Sequence, residues 1–314
     1  MSSQGGNRAI VAALAANAFI AVTKFGAWAL TGAASMLAEG VHSVADTSNQ
    51  LLLLRGGAVA KREATQEHPF GYGRAPFISA FLVSVILFSL GGLFALYEAF
   101  HKYEEVASGH PNELLESQWW WVPIAVLGFA IIAEGFSLRT AIRESLPLKG
   151  TKSWAQFIRS AKSPDLPVIL LEDFAALLGL VFALMGVGMT LLKHDGLWDV
   201  AGTGLIGVLL ILVAITLAME TRSLLLGEAA APEAIAGITM ALAGADGVLR
   251  VIHLKTLHLG PSEILVAAKI AVEPTESAAR VAQVIDNAEA AVRATNSEVT
   301  AIYLEPDIDR NVIV

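Results

Sequence analysis

Six runs of apolar sequence, each about as long as a bilayer is thick, constrain this chain more than any other feature. A hydrocarbon core of about 30 Å takes about 20 helical residues to cross. The runs at residues 9–30, 36–58, 76–100, 119–142, 166–192 and 200–226 all reach that length. Composition agrees. Hydrophobic residues make up 55% of the chain and charged ones 16%, against about 25% charged in a soluble domain, and mean hydropathy is +0.60. A soluble bundle of such helices would be apolar on nearly every face, with no side left for water. The sequence therefore predicts a membrane-embedded all-α bundle of six transmembrane helices over residues 1–227. The Trp119-Trp120-Trp121 run reads as an interfacial anchor. Residues 1–8 are polar and show no cleavage site, so the first run reads as a retained span.

Charge sorts the loops. Lys61, Arg62 and Arg74 lie between the second and third runs, and Lys149, Lys152, Arg159 and Lys162 between the fourth and fifth. The third-to-fourth connection instead carries Glu104, Glu105, Glu113 and Glu116, and the first-to-second turn carries no charge. The positive-inside rule places both termini in the cytoplasm, with a bacterial inner membrane as the expected location. A net charge of -8 argues against nucleic acid as a partner, because phosphate binding wants a basic face. With 0 cysteines there is no disulfide, thiolate metal site or cysteine nucleophile.

After Gly227 the composition changes. Residues 232–243 read as a helix, 247–257 and 264–272 as strands, 274–294 as a helix and 299–304 as a last strand, with a turn at Gly260-Pro261-Ser262. The order αββαβ suits a small α+β domain over residues 228–314, its helices on one face of a sheet.

The spans themselves carry ionisable side chains, which cost about 2.5–3.5 kcal/mol each on insertion scales. His42 and Asp46 stand four residues apart on the second run, hence on one helix face. Together they form half of a tetrahedral site for a zinc-like ion. Asn49 and Gln50 continue that stripe. The fifth run holds Asp165 near its start and Glu172 and Asp173 deep inside. Adjacent helical residues point about 100° apart, so one of these two is expected to face the site directly. Glu134 is the deep carboxylate of the fourth run, open to a structural or a functional role. Glu39 reads as solvated near an outer end, and Glu98 and Glu220 as interfacial. No lysine or arginine is expected at matching depth, which leaves metal or protons to supply the balancing charge.

"HSVADTSNQ", "EHPFGYGR", "LLEDFAALLGL" and "METRSLLLGEAA" together resemble the cation diffusion facilitator family, and within it the subgroup similar to mitochondrial and nuclear zinc-transporter-like proteins. The resemblance spans nearly the whole chain. It implies six spans, a ferredoxin-like cytoplasmic domain, a homodimer, and exchange of divalent metal for protons. His42 and Asp46 match the family's second-span ligands, and Asp173 matches the aspartate of the fifth. The fifth-span histidine position is Ile169, which leaves Glu172, or Asn49 or Glu134, to complete the set. A site so rich in oxygen moves preference toward harder ions. His68 matches a ligand of a second family site, but Thr65 and Tyr72 stand where its partners would be. It is expected to shape its loop instead. In the C-terminal domain His253 and Glu305 match metal-binding positions, whereas Ala268 and Tyr303 do not. Dimerisation without metal is expected there.

The resulting expectation is proton-coupled efflux of divalent cations by alternating access, with Zn²⁺ first and Mn²⁺, Fe²⁺, Co²⁺ or Cd²⁺ as other candidates. The metal is cargo, and no permanently bound cofactor is expected. Protons would compete for the ligands, His42 among them, since imidazole titrates near a pKa of about 6.5. A transport-inactive, metal-responsive scaffold is the alternative, supported by the altered fifth-span motif. An enzyme is not expected: the chain has no His-Glu-x-x-His and no nucleophile set.

Overall fold

The computed structural model describes residues 3–110 and 112–308, with side chains from residue 17 onward. The side chains of residues 9–16, where the first apolar run opens, lie outside the described residues. The chain divides into two compact units. The first comprises residues 1–57 and 78–221, and the second residues 58–77 and 222–314.

In the first unit, helix α1 (Ser3–Thr31) ends at Gly32, whose φ of 61° suits a residue without Cβ. Helix α2 (Ala34–Ala60) follows at once. The third helix is continuous over Ala75–Ala107. It consists of α3 (Ala75–Ile86), a π-helical stretch Leu87–Leu93, and α4 (Phe94–Ala107). Past the short α5 (Glu113–Glu116), α6 (Trp121–Lys149) leads to the small α7 (Trp154–Ser160), opened by a Ser153–Gln156 capping box. Helices α8 (Asp165–Lys193) and α9 (Leu197–Leu226) complete the set.

Helix α6 packs along α8 and touches α1. Met36, Leu87, Leu127, Leu180, Ile206 and Leu210 form the core and are essentially inaccessible. Small residues let backbones meet, as bundles in lipid require. A Cβ on Gly92 would come within 3.1 Å of the Ile211 backbone nitrogen, and one on Gly202 within 2.8 Å of the Phe182 carbonyl oxygen.

All six apolar runs are helical, and the third extends past its expected end at residue 100 to Ala107. A Lys102–Glu105 pair at 2.8 Å supports the extra turns. Among the described residues, four helices are long and apolar enough to cross a membrane: Ala75–Ala107, α6, α8 and α9. Helix α2 has the length, but Glu39, His42, Asp46, Asn49, Gln50 and Arg55 dilute its hydropathy.

The second unit has the expected element order: α10 (Pro232–Ala243), β1 (Arg250–Gly260), β2 (Glu263–Ala271), α11 (Ala278–Thr295) and β3 (Val299–Asp307). Proline at the first turn of α10 and Ser277 capping α11 mark the helix starts. The sheet order is β1-β2-β3, with β1 antiparallel and β3 parallel to the central strand. The crossover through α11 supplies the length that a parallel pair needs. On β2, Ile264, Val266, Ala268 and Ile270 alternate inward and are buried with Val284, Val292 and Ile302. Cutting Ile270, 0% exposed, to alanine is expected to destabilise this unit by about 2–5 kcal/mol. Faster amide exchange across β2 in the full chain would register it.

The unit also takes in the loop after α2. There a Cβ on Gly260 would stand 2.7 Å from the Gly73 carbonyl oxygen, so the loop and the end of β1 meet backbone to backbone. His68 stacks on Tyr72 with ring centroids 4.6 Å apart, and its backbone N–H donates to Thr65 Oγ1 at 3.1 Å. The His68 ring shapes the loop, as its sequence context suggests. His253 is exposed and His258 buried. The strand is regular between them, so an odd spacing of five puts them on opposite faces.

Candidate metal-binding site

Helices place the polar residues of the spans around one cavity of about 50 Å³. Lys24, Ser43, Asp46, Glu134, Glu172 and Asp173 share its wall, and so does Ile169 at the position without a ligating atom. That volume is about one or two water molecules' share of the liquid.

The i, i+4 spacing on α2 does what helix geometry dictates. His42 Nε2 lies 3.4 Å from Asp46 Oδ2, with the imidazole 1% and the carboxylate 18% exposed. Neither His42 nitrogen has a hydrogen-bond partner, and Asp46 Oδ1 has none either. Buried polar atoms left this way cost about 1–3 kcal/mol each. Such a set is poorly suited to a merely structural role.

One turn on, Asn49 Nδ2 donates to Glu172 Oε1 at 2.6 Å and ties α2 to α8. Ser137 Oγ of α6 donates to Asp173 Oδ2 at 2.7 Å. Glu172 and Asp173 diverge as neighbours on a helix must, yet both reach the same cavity. Glu134 reaches it from α6. The structure thus brings His42 and Asp46 together and joins Asn49 to Glu172. It holds Asp173 on Ser137 and leaves Glu134 in the facing wall. Among the described residues, no three His, Asp or Glu side chains are close enough to hold a metal ion. Asp165, at the start of α8, is not in this wall.

Two expectations are overturned here. Glu39 is not solvated: it is 0% exposed. A cation does sit at this depth. Lys24 of α1, 4% exposed, donates to Glu39 Oε2 at 2.8 Å and to Ser43 Oγ at 2.8 Å. Helices α1 and α2 run antiparallel across the tight Gly32 turn, which brings residues fifteen apart to one level. The signal was a lysine inside the first apolar run, as costly there as a carboxylate.

Asp199, also unanticipated, is 2% exposed at the start of α9. Its Oδ2 accepts from the Ala34 N–H at 2.7 Å and its Oδ1 from Ser35 Oγ at 2.5 Å. It thereby serves the first free N–H groups of α2 from another helix. No local pattern announces a partner 165 residues away.

Comparison with known proteins places this geometry in context. Residues 10–226 match the cation efflux transmembrane domain. The chain is 30% identical over 274 residues to "Proton-coupled zinc antiporter SLC30A9, mitochondrial" of Xenopus laevis, covering 86% of this chain and 47% of that protein. It is 28% identical over 274 residues to "Metal tolerance protein C4" of Arabidopsis thaliana, covering 86% and 58%. It therefore spans about half the length of these relatives. A solved variant of the MamM CTD is similar over 25% of this chain and 93% of its own, at 23% identity and a TM-score of 0.24, a likeness too weak to carry an inference.

Proposed function

We propose that this chain, which belongs to the cation efflux family, moves a divalent metal cation across a membrane in exchange for protons. Members of that family are transporters, not enzymes. The observation that carries the reading is the buried imidazole of His42, neither nitrogen hydrogen-bonded, beside Asp46 at a cavity walled by four carboxylates. Imidazole and carboxylate are the ligand types of a borderline divalent ion.

His42 and Asp46 supply one half of the site. Glu172 and Asp173 supply the other, with Asn49 and Glu134 adjoining. Asn49 already orients Glu172, and Ser137 orients Asp173. Such supporting contacts fix how a ligand meets its ion. Closing a shell takes movement of α8 relative to α2, since two neighbouring residues of one helix do not converge unaided. Metal capture and helix rearrangement are then one event, the essence of alternating access. Protons compete because each ligand must be deprotonated to bind metal. Zn²⁺ leads the candidates, and the excess of oxygen ligands widens the range toward Mn²⁺ and Fe²⁺.

The same reading makes all six long helices membrane spans. Helix α2 is admitted because its polar stripe faces the cavity rather than lipid. It puts both termini on the side of the basic loops, the cytoplasm of a bacterial cell bounded by the inner membrane. Residues 228–314 become a ferredoxin-like dimerisation domain.

Reconstituting the chain in liposomes loaded with a zinc-sensitive dye provides the test. An imposed proton gradient is expected to drive saturable Zn²⁺ uptake well above protein-free vesicles. Zn²⁺ binding with no flux in either direction would favour the metal-responsive scaffold that Ile169 suggests.

A further inference from the structure

The Lys24–Glu39 pair, both side chains buried, is poor structural cement. Taking two charges out of water is expensive, and a buried pair is weak evidence of stabilisation. Its placement says more than its existence. Lys24 lines the cavity, and Glu39 does not. The pair therefore turns its positive end toward Asp46, Glu134, Glu172 and Asp173 and its negative end away. Ser43, the residue after His42, takes a second ammonium proton and fixes that orientation. Glu39 is pinned behind it: a Cβ at Gly179 would stand 2.9 Å from Glu39 Oε1, so the glycine leaves the carboxylate its place. An ammonium has three donors. Two are engaged with Glu39 and Ser43.

We infer that Lys24 is a tethered competitor of the transported cation, a fixed positive charge that lowers the cavity's affinity for a divalent ion and so speeds the ion's release. This rests on the cavity being the transport site. Four carboxylates and an imidazole with no opposing charge would bind a divalent ion tightly and let it go slowly. Conduction needs binding favourable enough to load and weak enough to leave. In a low-dielectric interior a unit charge bears strongly on a double one, and a lysine cannot diffuse away as a free cation can. Glu39 supplies the buried ammonium with a counter-charge at 2.8 Å. The pair is the smallest unit that supplies a permanent positive wall.

The experiment is Zn²⁺ titration of the purified full chain by calorimetry, with flux measured in liposomes. Lys24→Met combined with Glu39→Gln removes the pair without stranding a charge, and is expected to bind Zn²⁺ about 10–100-fold more tightly. Its KM and kcat should fall together, the signature of slowed release. Lys24→Arg keeps the charge and should recover most of the wild-type affinity. Should the double variant not fold, Glu39→Gln alone leaves the cation less compensated and is expected to weaken Zn²⁺ binding at least about 3-fold. Unchanged or weaker binding by the double variant, or unchanged binding by Glu39→Gln, overturns the role of Lys24. If Asp46→Asn abolishes binding in the same series, the metal site itself still stands. A wild-type chain that binds no Zn²⁺ overturns the site, and the competitor with it.

Discussion

Replacing Asp46 with alanine is expected to reduce Zn²⁺ flux to the level of empty liposomes, a loss of about 100-fold or more, while the protein keeps its fold. The two halves of this expectation come from the same geometry. Asp46 sits one turn from His42, faces the cavity and leaves Oδ1 without a partner. It therefore holds nothing together that the bundle needs. On the proposed assignment, losing Asp46 removes both a charge and a coordination position, and neither His42 nor Glu172 can take its place without moving a helix. Stability should stay level or rise, because a partly buried carboxylate with an unmade hydrogen bond is costly to keep. Flux assays beside detergent melting curves separate the two effects. Near-normal transport by the alanine variant would sink the site assignment.

Asp199→Ala should do the reverse, damaging stability before chemistry. Its two oxygens serve the Ala34 N–H and the Ser35 hydroxyl, and all three residues are buried. Alanine strands two donors at once, at about 1–3 kcal/mol each, so a total near 3 kcal/mol is expected. Asparagine retains one acceptor oxygen and should lose roughly half as much. Melting curves in detergent rank the three proteins. Equal stability of wild type and alanine variant would show that water or the backbone takes over the cap.

The helices were legible because their signal is local: an apolar run of bilayer length, or a proline or serine at a helix start, needs no distant partner. Strand β2 was legible for the same reason, as its inward residues alternate within nine positions. His42 and Asp46 could be read as neighbours because the helical repeat alone brings them together. The remaining contacts were beyond reach in sequence. Asn49 and Glu172 are 123 residues apart, Ser137 and Asp173 36 apart on different helices. Their pairing depends on how helices rotate about their axes, which sequence periodicity sets only loosely. Lys24 and Glu39 failed for a narrower reason. Glu39 read alone looks solvated and Lys24 inside an apolar run goes unread, and each becomes acceptable once its opposite is found at the same level.

The π-helical stretch Leu87–Leu93 has a consequence for what mutation can do to this molecule. Its last turn is wide: the Phe94 N–H reaches back to the Ser89 carbonyl as well as that of Gly91. A widened turn is where a helix stores surplus chain. Loss of one residue there can be absorbed by reverting to the ordinary 3.6-residue turn, whereas anywhere else in that helix a deletion turns every later position by about 100°. Because the wide turn holds about one residue more than an α-turn of the same rotation, its loss leaves later positions on their faces, with Leu96 still against Gly207. Helical continuity and face alignment thus both survive the loss of a residue at this one point. The stretch tolerates a change of length that the rest of the helix does not.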